Sequence, residues 1–221
     1  MNVSEALLKR KAVRAYTNKT VKQELLEQIL TSASHAPSGV NTQPWQVAVL
    51  TGEKKHLLQE KMLEAFAARQ EKKMDYQYYP LEWIEPYKKR RKECGLQMYS
   101  ALNIAREDKT KQIKQWAANY RAFDAPVMLL FYMDAELQTG SYLDYGMFLQ
   151  SIMLAATEQG LASCPQAALA EYPDIVRDFL NLSSDCQLIC GMALGYEDVD
   201  APVNSYRTER ADINEFVTFY K

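Results

Sequence analysis

Two runs of apolar residues constrain the fold of this 221-residue chain more than any other feature of its sequence. Residues 127–133 form a continuous apolar run that begins directly after Pro126, and residues 188–195 form a second one. Runs of this length are typical of strands that are buried on both faces. Shorter strands are predicted at residues 46–50 and 161–164. The chain is therefore expected to contain a sheet with protein layers on both sides.

Segments with apolar residues at helical spacing separate the predicted strands. A long helix is predicted over residues 53–74, and an apolar helix over residues 143–158 is expected to stop at Gly160. Shorter helices are predicted near residues 4–10 (with Ser4 as the N-cap), 25–30, 88–104, 112–119 and 175–180. Strands that alternate with helices in this way indicate a layered α/β or α+β fold.

Composition and charge exclude several classes of protein. The chain is 48% hydrophobic and 24% charged with a net charge of −2, so no overall field attracts nucleic acid or anionic lipid. The basic run at residues 88–92 is interpreted as a solvated helix face. The four cysteines lack the spacing of a zinc site and are expected to be reduced. Without a recognisable signal peptide or membrane span, a soluble cytoplasmic protein is expected, with no membrane or nucleic-acid partner.

The sequence contains none of the common hydrolytic or nucleotide-binding motifs. A GxSxG elbow, an HExxH pair, a Walker loop and a GxGxxG turn are all missing, and the chain has only two histidines. An enzyme with so little acid–base apparatus is expected to take its chemistry from a bound cofactor.

Cations near both ends of the chain are candidate ligands for such a cofactor. Arg10, Lys11 and Arg14 follow the first predicted helix, and Arg207 and Arg210 follow the last predicted strand. One interpretation is a basic helix end that interacts with its own dipole. The other is a clamp for a phosphate or an electron-rich ring, because the planar guanidinium fork suits phosphate oxygens.

The loop at residues 37–45, with the sequence PSGVNTQPW, is a more specific signal. Gly39 permits the backbone to approach a flat ligand closely. Ser38, Asn41 and Gln43 carry donors and acceptors that suit the polar edge of a heteroaromatic ring. A simple polar turn is the alternative, but it does not explain the density of amide side chains beside a tryptophan.

Four segments together resemble the nitroreductase family, in particular its nitrobenzoate-reductase-like branch. They are the basic run with its following aromatic at residues 10–16, the loop at residues 37–45, the segment GLASCPQAA at residues 160–168, and CGMALGYEDVDAPVNSYRTER at residues 190–210. They span nearly the whole chain in the order expected for the family. Chance agreement of four ordered segments is very improbable.

The resemblance implies a single FMN-binding domain over residues 1–221 with an α+β, three-layer fold. It implies a mostly antiparallel sheet flanked by helices, completed in a homodimer by a C-terminal strand exchanged between subunits. The apolar tail at residues 216–220 suits this exchange, although docking on its own domain is the alternative. The helical and aromatic excursion at about residues 76–123 contains a candidate lid at residues 76–87, for which a packed surface subdomain is the alternative.

The resemblance also implies the residues that contact the flavin. Its phosphate, ribityl chain and pyrimidine edge would be held by Arg10, Lys11, Ala12, Arg14, Arg207 and Arg210. Pro165, Gln166 and Ala167 would lie along one face of the isoalloxazine. The loop of the second subunit would reach the same flavin through Pro37, Ser38, Gly39, Asn41 and Gln43. No side chain is assigned a catalytic role, because the flavin carries the hydride chemistry.

The activity implied is the ping-pong transfer of a hydride from NADH or NADPH, through FMN, to a nitroaromatic or quinone-like acceptor. The alternatives are reductive dehalogenation or flavin fragmentation on the same fold, with Glu85 and Tyr87 in the lid, a flavin-binding module without turnover, and a metabolite-binding dimer without flavin. Two positions depart from the family pattern. Ala12 replaces a serine, which removes one hydroxyl contact. Gln166 replaces an acidic residue of some branches, a change that bears on nicotinamide preference or flavin potential.

Overall fold

The computed structural model describes all 221 residues, and its core is a four-stranded antiparallel sheet. The strands are β1 (Gln46–Thr51), β2 (Val127–Asp134), β3 (Ala162–Gln166) and β4 (Cys186–Gly195), in the order β1-β2-β4-β3. The two long apolar runs therefore form the two central strands, as predicted. β3 begins one residue later than predicted and extends to Gln166, because it pairs with β4 as far as Gly191.

Seven α-helices surround the sheet. They are α1 (Val3–Lys9), α2 (Gln23–Ala33), α3 (Gly52–Ala67), α4 (Tyr87–Ala101), α5 (Lys109–Ala117), α6 (Gly140–Glu158) and α7 (Pro173–Leu180). Two predicted helix ends are wrong. Asn2 rather than Ser4 caps α1, because the Asn2 side chain accepts a hydrogen bond of 2.8 Å from the backbone of Glu5. The third helix ends at Ala67 rather than near residue 74, because Arg69 takes a left-handed conformation (φ 54°).

The helices cover both faces of the sheet and give the three layers that the resemblance implies. Side chains alternate along β2, so Leu129 and Phe131 face α2 and α6, whereas Met128 and Leu130 face α3 and α7. Gly191 allows a close approach on β4, because a Cβ atom there would lie 2.4 Å from Cδ1 of Leu169. None of the helices combines the length and the apolarity that crossing a membrane requires.

The excursion between α3 and β2 is much less buried than the sheet. Residues 76–86 form neither helix nor strand, and neither α4 nor α5 contains a buried residue. The segment that precedes the excursion is nevertheless anchored to β4. The carboxylate of Asp75 accepts hydrogen bonds from the guanidinium of Arg177 (2.7 Å) and from the backbone of Leu188 (2.8 Å).

The C-terminal tail does not pack on its own domain. Residues 216–221 lie outside the sheet, and the side chains of Phe216, Phe219 and Tyr220 are 71%, 77% and 93% exposed. The alternative in which the tail docks on its parent domain is therefore wrong for this chain. Exchange of the tail with a second subunit stays a prediction.

Candidate active site

The segment at residues 10–16 lies along the free edge of β3. Ala12 forms a parallel bridge with Ser163, and the backbone of Val13 donates a hydrogen bond of 3.1 Å to the carbonyl of Ser163. The hydroxyl of Tyr16 closes this segment by donating to the carbonyl of Val13 at 2.8 Å. The basic run near the N-terminus is thereby fixed beside the strand that ends in Pro165 and Gln166.

Asn204 brings the C-terminal loop to the same place. Only 2% of Asn204 is exposed, and its amide oxygen accepts a hydrogen bond of 2.9 Å from the backbone of Arg14. Its amide nitrogen donates to the carbonyls of Ala15 (2.9 Å) and Asp198 (2.8 Å). The sequence did not predict this role, because an asparagine two residues after a proline is ordinary turn chemistry.

Three guanidinium groups gather where these two segments meet. Arg207 donates to the carbonyls of Lys9 (3.1 Å) and Arg10 (2.5 Å), which are at the C-terminal end of α1. Burial lowers the pKa of Arg10, and the nearby charges of Arg210 and Arg207 lower it further. None of the three forms a salt bridge, so no carboxylate of the chain offsets their mutual repulsion. A cluster of this kind is suited to a multiply charged anion such as a phosphate.

Lys11 and Arg14, the other two cations of the basic run near the N-terminus, have partners within the chain. The ammonium of Lys11 lies 2.8 Å from the carboxylate of Glu197, which compensates its charge. The guanidinium of Arg14 lies 3.3 Å from the hydroxyl of Tyr206 and 5.9 Å from the ring centroid of Phe123. Arg14 has no carboxylate partner, so its charge is available near β3. The contribution of Lys11 and Arg14 to cofactor binding stays a prediction.

A cavity of about 580 Å³ lies at the far end of β3. It is lined by Pro165, Gln166 and Ala167 together with a group of aromatic and apolar side chains, Tyr76, Tyr78, Tyr142, Tyr145, Leu149, Ile189 and Cys190. Burial raises the pKa of Cys190 to about 12, so its thiol stays protonated and unreactive at neutral pH. The size and the aromatic lining suit a flat ring system.

β3 connects the cavity to the guanidinium cluster. Ser163 contacts the segment at residues 10–16, and Gln166 lines the cavity three residues further on. At about 3.4 Å per strand residue, the two ends of the site are separated by roughly 10 Å. The strand therefore has a cationic end and an aromatic end, an arrangement that suits an elongated ligand with an anionic group and a ring.

Two buried polar atoms on β3 have no hydrogen-bond partner in the chain. They are the hydroxyl oxygen of Ser163 and the amide oxygen of Gln166, and these residues are 2% and 4% exposed. Buried polar atoms are nearly always paired in native proteins. Unpaired atoms on the strand that links cations to an aromatic cavity fit a ligand with several polar groups. The residues present thus fit FMN, which combines a phosphate, a polyhydroxyl chain and a heteroaromatic ring.

The loop at residues 37–45 packs on α6 and contributes nothing to the cavity of its own chain. The backbone of Gly39 donates to the carboxylate of Asp144 at 3.1 Å, and Trp45 stacks on Phe148 with ring centroids 4.6 Å apart. Val40, Asn41 and Gln43 all take positive φ angles, of 45°, 60° and 49°. Val40 is fully exposed. The structure thus brings residues 10, 166 and 207 to one strand but leaves Asn41 elsewhere.

A second cavity, of about 480 Å³, lies between α3 and α7. Lys61, Glu64 and Asp178 line it together with five other residues, and it contains none of the predicted site residues. Its charges are mixed, and it lies on the opposite helical layer from α6. We assign no function to it.

The chain matches a known family over most of its length. The sequence model of the nitroreductase family covers residues 7–196. A 4-nitrobenzoate reductase of Pseudomonas putida is 37% identical over 210 residues, which are 95% of this chain and 92% of that protein.

Two solved structures superimpose on nearly every residue. The FMN- and NADPH-dependent nitroreductase NfnB of sphigopyxis sp. strain HMH has a TM-score of 0.96 and 39% identity, and the match covers 100% of both chains. The FMN-dependent nitroreductase NfnB of Mycobacterium smegmatis, solved in complex with NADPH, has a TM-score of 0.93 and 32% identity, again over 100% of both chains.

Proposed function

The chain belongs to the nitroreductase family, and we propose that it is an FMN-dependent NAD(P)H oxidoreductase that reduces nitroaromatic or quinone-like compounds. The observation that carries the proposal is β3, which joins the guanidinium cluster of Arg10, Arg207 and Arg210 to the aromatic cavity at Pro165–Ala167. The similar 4-nitrobenzoate reductase supports a nitroaromatic acceptor, and the two NfnB structures support NADPH as a donor.

Each end of the site would have its own task. Arg10, Arg207 and Arg210 would hold the phosphate of FMN, and the edge of β3 from Ser163 to Ala167 would hold the ribityl chain and the ring. When bound, FMN supplies the hydride chemistry by accepting two electrons from the nicotinamide and passing them to the acceptor. Arg14 would place positive charge near the ring, which favours negative charge that develops there on reduction.

The aromatic side of the cavity would receive the two substrates in turn. Tyr76 and Tyr142 are partly exposed and offer flat apolar surfaces on which a nicotinamide or a nitroarene can stack. A single open face of the ring accommodates one of them at a time, so we expect ping-pong turnover. The four cysteines are free, and with the requirement for NAD(P)H this favours a cytoplasmic location.

We further propose a homodimer with shared active sites. Phe216, Phe219 and Tyr220 expose aromatic surface that a second copy would cover. The loop at residues 37–45 projects Val40 away from its own chain, and in a dimer it could complete the cavity of the other subunit. Light scattering should give the mass of a dimer, and removal of residues 216–221 should give monomers that bind FMN weakly.

Reductive dehalogenation is the second candidate, because it would use Glu85 and Tyr87 to clamp a zwitterionic substrate. In the structure the carboxylate of Glu85 instead accepts a hydrogen bond of 3.2 Å from the backbone of Lys89, at the start of α4. Glu85 thus serves the helix end, which favours the nitroreductase activity over this alternative. A flavin-binding module without turnover is the third candidate.

The deciding experiment is purification without added cofactor, followed by anaerobic titration with each nicotinamide. We expect a yellow protein that NADH or NADPH bleaches and that a nitroarene then reoxidises. A yellow protein that neither nicotinamide bleaches would indicate a flavin-binding module, and a colourless protein that binds no added FMN would contradict the proposal. Flavin reduction that requires both substrates together would exclude ping-pong turnover.

A further inference from the structure

The side chain of Gln166 has an orientation that its neighbours fix. Its amide nitrogen lies 3.0 Å from the carbonyl oxygen of Asn119 and 3.3 Å from the side-chain oxygen of the same residue. The side-chain nitrogen of Asn119 in turn donates to the carbonyl of Trp116 at 2.9 Å. A backbone carbonyl can only accept, so the polarity of both amides follows from the chain of bonds.

This orientation leaves the amide oxygen of Gln166 as a buried acceptor without a donor. The residue is 4% exposed, it lines the cavity, and no group of the chain donates to that oxygen. Both amide hydrogens of Gln166 are directed at the two oxygens of Asn119. A rotation of the amide by 180° would place the amide oxygen of Gln166 against these two acceptors, where no hydrogen bond can form. The unpaired oxygen is therefore a stable feature of the site, and a ligand with an N–H group would satisfy it.

The proposed cofactor acquires such a group during turnover. A flavin that has taken up a hydride carries an N–H on the central ring that the oxidised flavin lacks. We infer that the amide oxygen of Gln166 accepts a hydrogen bond from this N–H of the reduced flavin, and that Asn119 is the positioning residue that keeps the oxygen turned toward it. The inference rests on the proposed function and assigns to these two residues the tuning of the flavin's reduction potential.

The inference also gives residues 118–125 a role. Ala122, Phe123 and Asp124 follow each other with φ angles of 49°, 53° and 59°, a strained run for residues other than glycine. The backbone of Ala122 donates to the carbonyl of Asn119 at 2.9 Å, and Gln59 donates to the carbonyl of Arg121 at 2.6 Å. The strained turn thus holds Asn119 against β3 at the end of the excursion.

An acidic residue at position 166 would not fit this arrangement. A carboxylate in Gln166→Glu would face the two oxygens of Asn119 without a hydrogen to donate to either. It would also place negative charge beside a ring that becomes electron-rich on reduction. The amide at position 166 and the acceptors of Asn119 therefore form a matched pair.

The test compares Gln166→Met with Thr157→Val in full-length, FMN-loaded protein. Thr157 is also buried, and its hydroxyl donates a hydrogen bond of 2.8 Å to the carbonyl of Met153 within α6, with no hydrogen bond to Asn119 or to the turn that holds it. In Gln166→Met we expect the affinity for reduced FMN to fall about tenfold more than the affinity for oxidised FMN, which lowers the midpoint potential by about 30 mV. Thr157→Val should leave the potential unchanged.

Two further variants keep the test sharp if Gln166→Met folds poorly. Gln166→Glu should lower the potential at least as far as Gln166→Met. Asn119→Ala should lower the ratio of the affinities for reduced and oxidised FMN only about threefold, because the backbone carbonyl of residue 119 still accepts a hydrogen bond from Gln166. Unchanged potentials in folded Gln166 variants, or equal shifts in Thr157→Val, would overturn the inference alone. A wild-type protein that binds no FMN would overturn the proposed function as well.

Discussion

Most residues of β2 and β4 are buried, whereas α4 and α5 of the excursion contain no buried residue. Both regions border the same cavity, β4 through Ile189 and Cys190 and the excursion through Tyr76 and Tyr78. The sheet is held by contacts spread over two hydrophobic clusters, but the excursion is held by a few polar and aromatic anchors. We infer that the sheet fixes the cofactor and that the excursion adjusts access to it.

The largest expected contrast is in the reactivity of cysteines in the two regions. Cys94 on α4 is exposed, whereas Cys164 and Cys190 are buried in the sheet, where burial raises their pKa to about 11 and 12. The thiolate is the form that reacts. Alkylation of the folded protein at pH 8 should therefore modify Cys94 about a hundredfold faster, or more, than the two buried thiols. Mass spectrometry of tryptic peptides gives the rates. Comparable rates would mean that the sheet opens as readily as the excursion.

Cofactor affinity should depend on the cationic end of β3 and not on the lid. Arg207→Ala or Arg210→Ala removes a guanidinium from the cluster around Arg10, and a charge-assisted contact of this kind contributes about 1.5–3 kcal/mol. We expect FMN to bind roughly 10- to 150-fold more weakly, as measured by flavin fluorescence. Arg90→Ala on α4 removes a guanidinium of the excursion and is the matched control. If both cluster variants retain wild-type affinity, the phosphate lies elsewhere.

Two glycines allow the same substitution to be compared in the two regions. In Gly191→Ala the new methyl group would meet Leu169 at 2.4 Å within β4, so we expect a loss of about 1–3 kcal/mol in the free energy of unfolding. In Gly95→Ala on α4 the methyl group meets nothing within 4 Å. A gain of about 0.5–1 kcal/mol in local helix stability follows. Urea unfolding measures the first effect and hydrogen exchange of α4 the second. Equal losses would contradict the difference in packing.

The sequence predicted the sheet well, but it predicted neither where α3 ends nor which polar groups anchor the segment before the excursion, for a physical reason. Residues 127–133 and 188–195 are apolar throughout, and burial on both faces leaves such segments no other structure. The end of α3 at Ala67 depends on a left-handed residue, Arg69, which no apolar pattern signals. Polar anchors such as Asp75 and Arg177 pair over a long sequence separation and have no local signature.

The site divides in the same way. The family resemblance implied that Arg10, Arg207 and Pro165–Ala167 contact one flavin. The structure brings Arg207 to the carbonyl of Arg10 and places Pro165–Ala167 at a cavity, and their contact with a flavin stays a prediction. Asn204 and Asn119 were not foreseen, because each acts through backbone groups of distant segments. A contribution of the loop at residues 37–45 to the site requires a second chain and stays a prediction.

The anchor of the lid should have a moderate and local effect. The hydroxyl of Tyr76 donates to the carbonyl of Ile189 at 2.7 Å, which ties the start of the excursion to β4. Tyr76→Phe removes this bond and should cost about 0.5–1.5 kcal/mol, expressed as opening of the excursion. We expect faster proteolysis within residues 77–86 and a changed KM for bulky acceptors, with FMN affinity unaltered. Tyr79→Phe is the control, because the hydroxyl of Tyr79 donates no hydrogen bond.

The smallest effect is expected where the excursion meets the C-terminal segment. Arg90 on α4 lies 3.0 Å from the carboxylate of Glu215, and both side chains are about half exposed, at 47% and 56%. Exposed pairs of this kind contribute about 0.2–1 kcal/mol and are screened by salt. Glu215→Gln should therefore lower the free energy of unfolding by roughly a few tenths of a kcal/mol at low ionic strength. In about 0.5 M salt, where surface charges are largely screened, the variant should have no measurable effect. Urea unfolding at the two salt concentrations measures the effect. A loss of more than about 2 kcal/mol in the free energy of unfolding, or a loss that does not depend on salt, would contradict this expectation. It would show that the contact between Arg90 and Glu215 stabilises the excursion as strongly as a buried ion pair does.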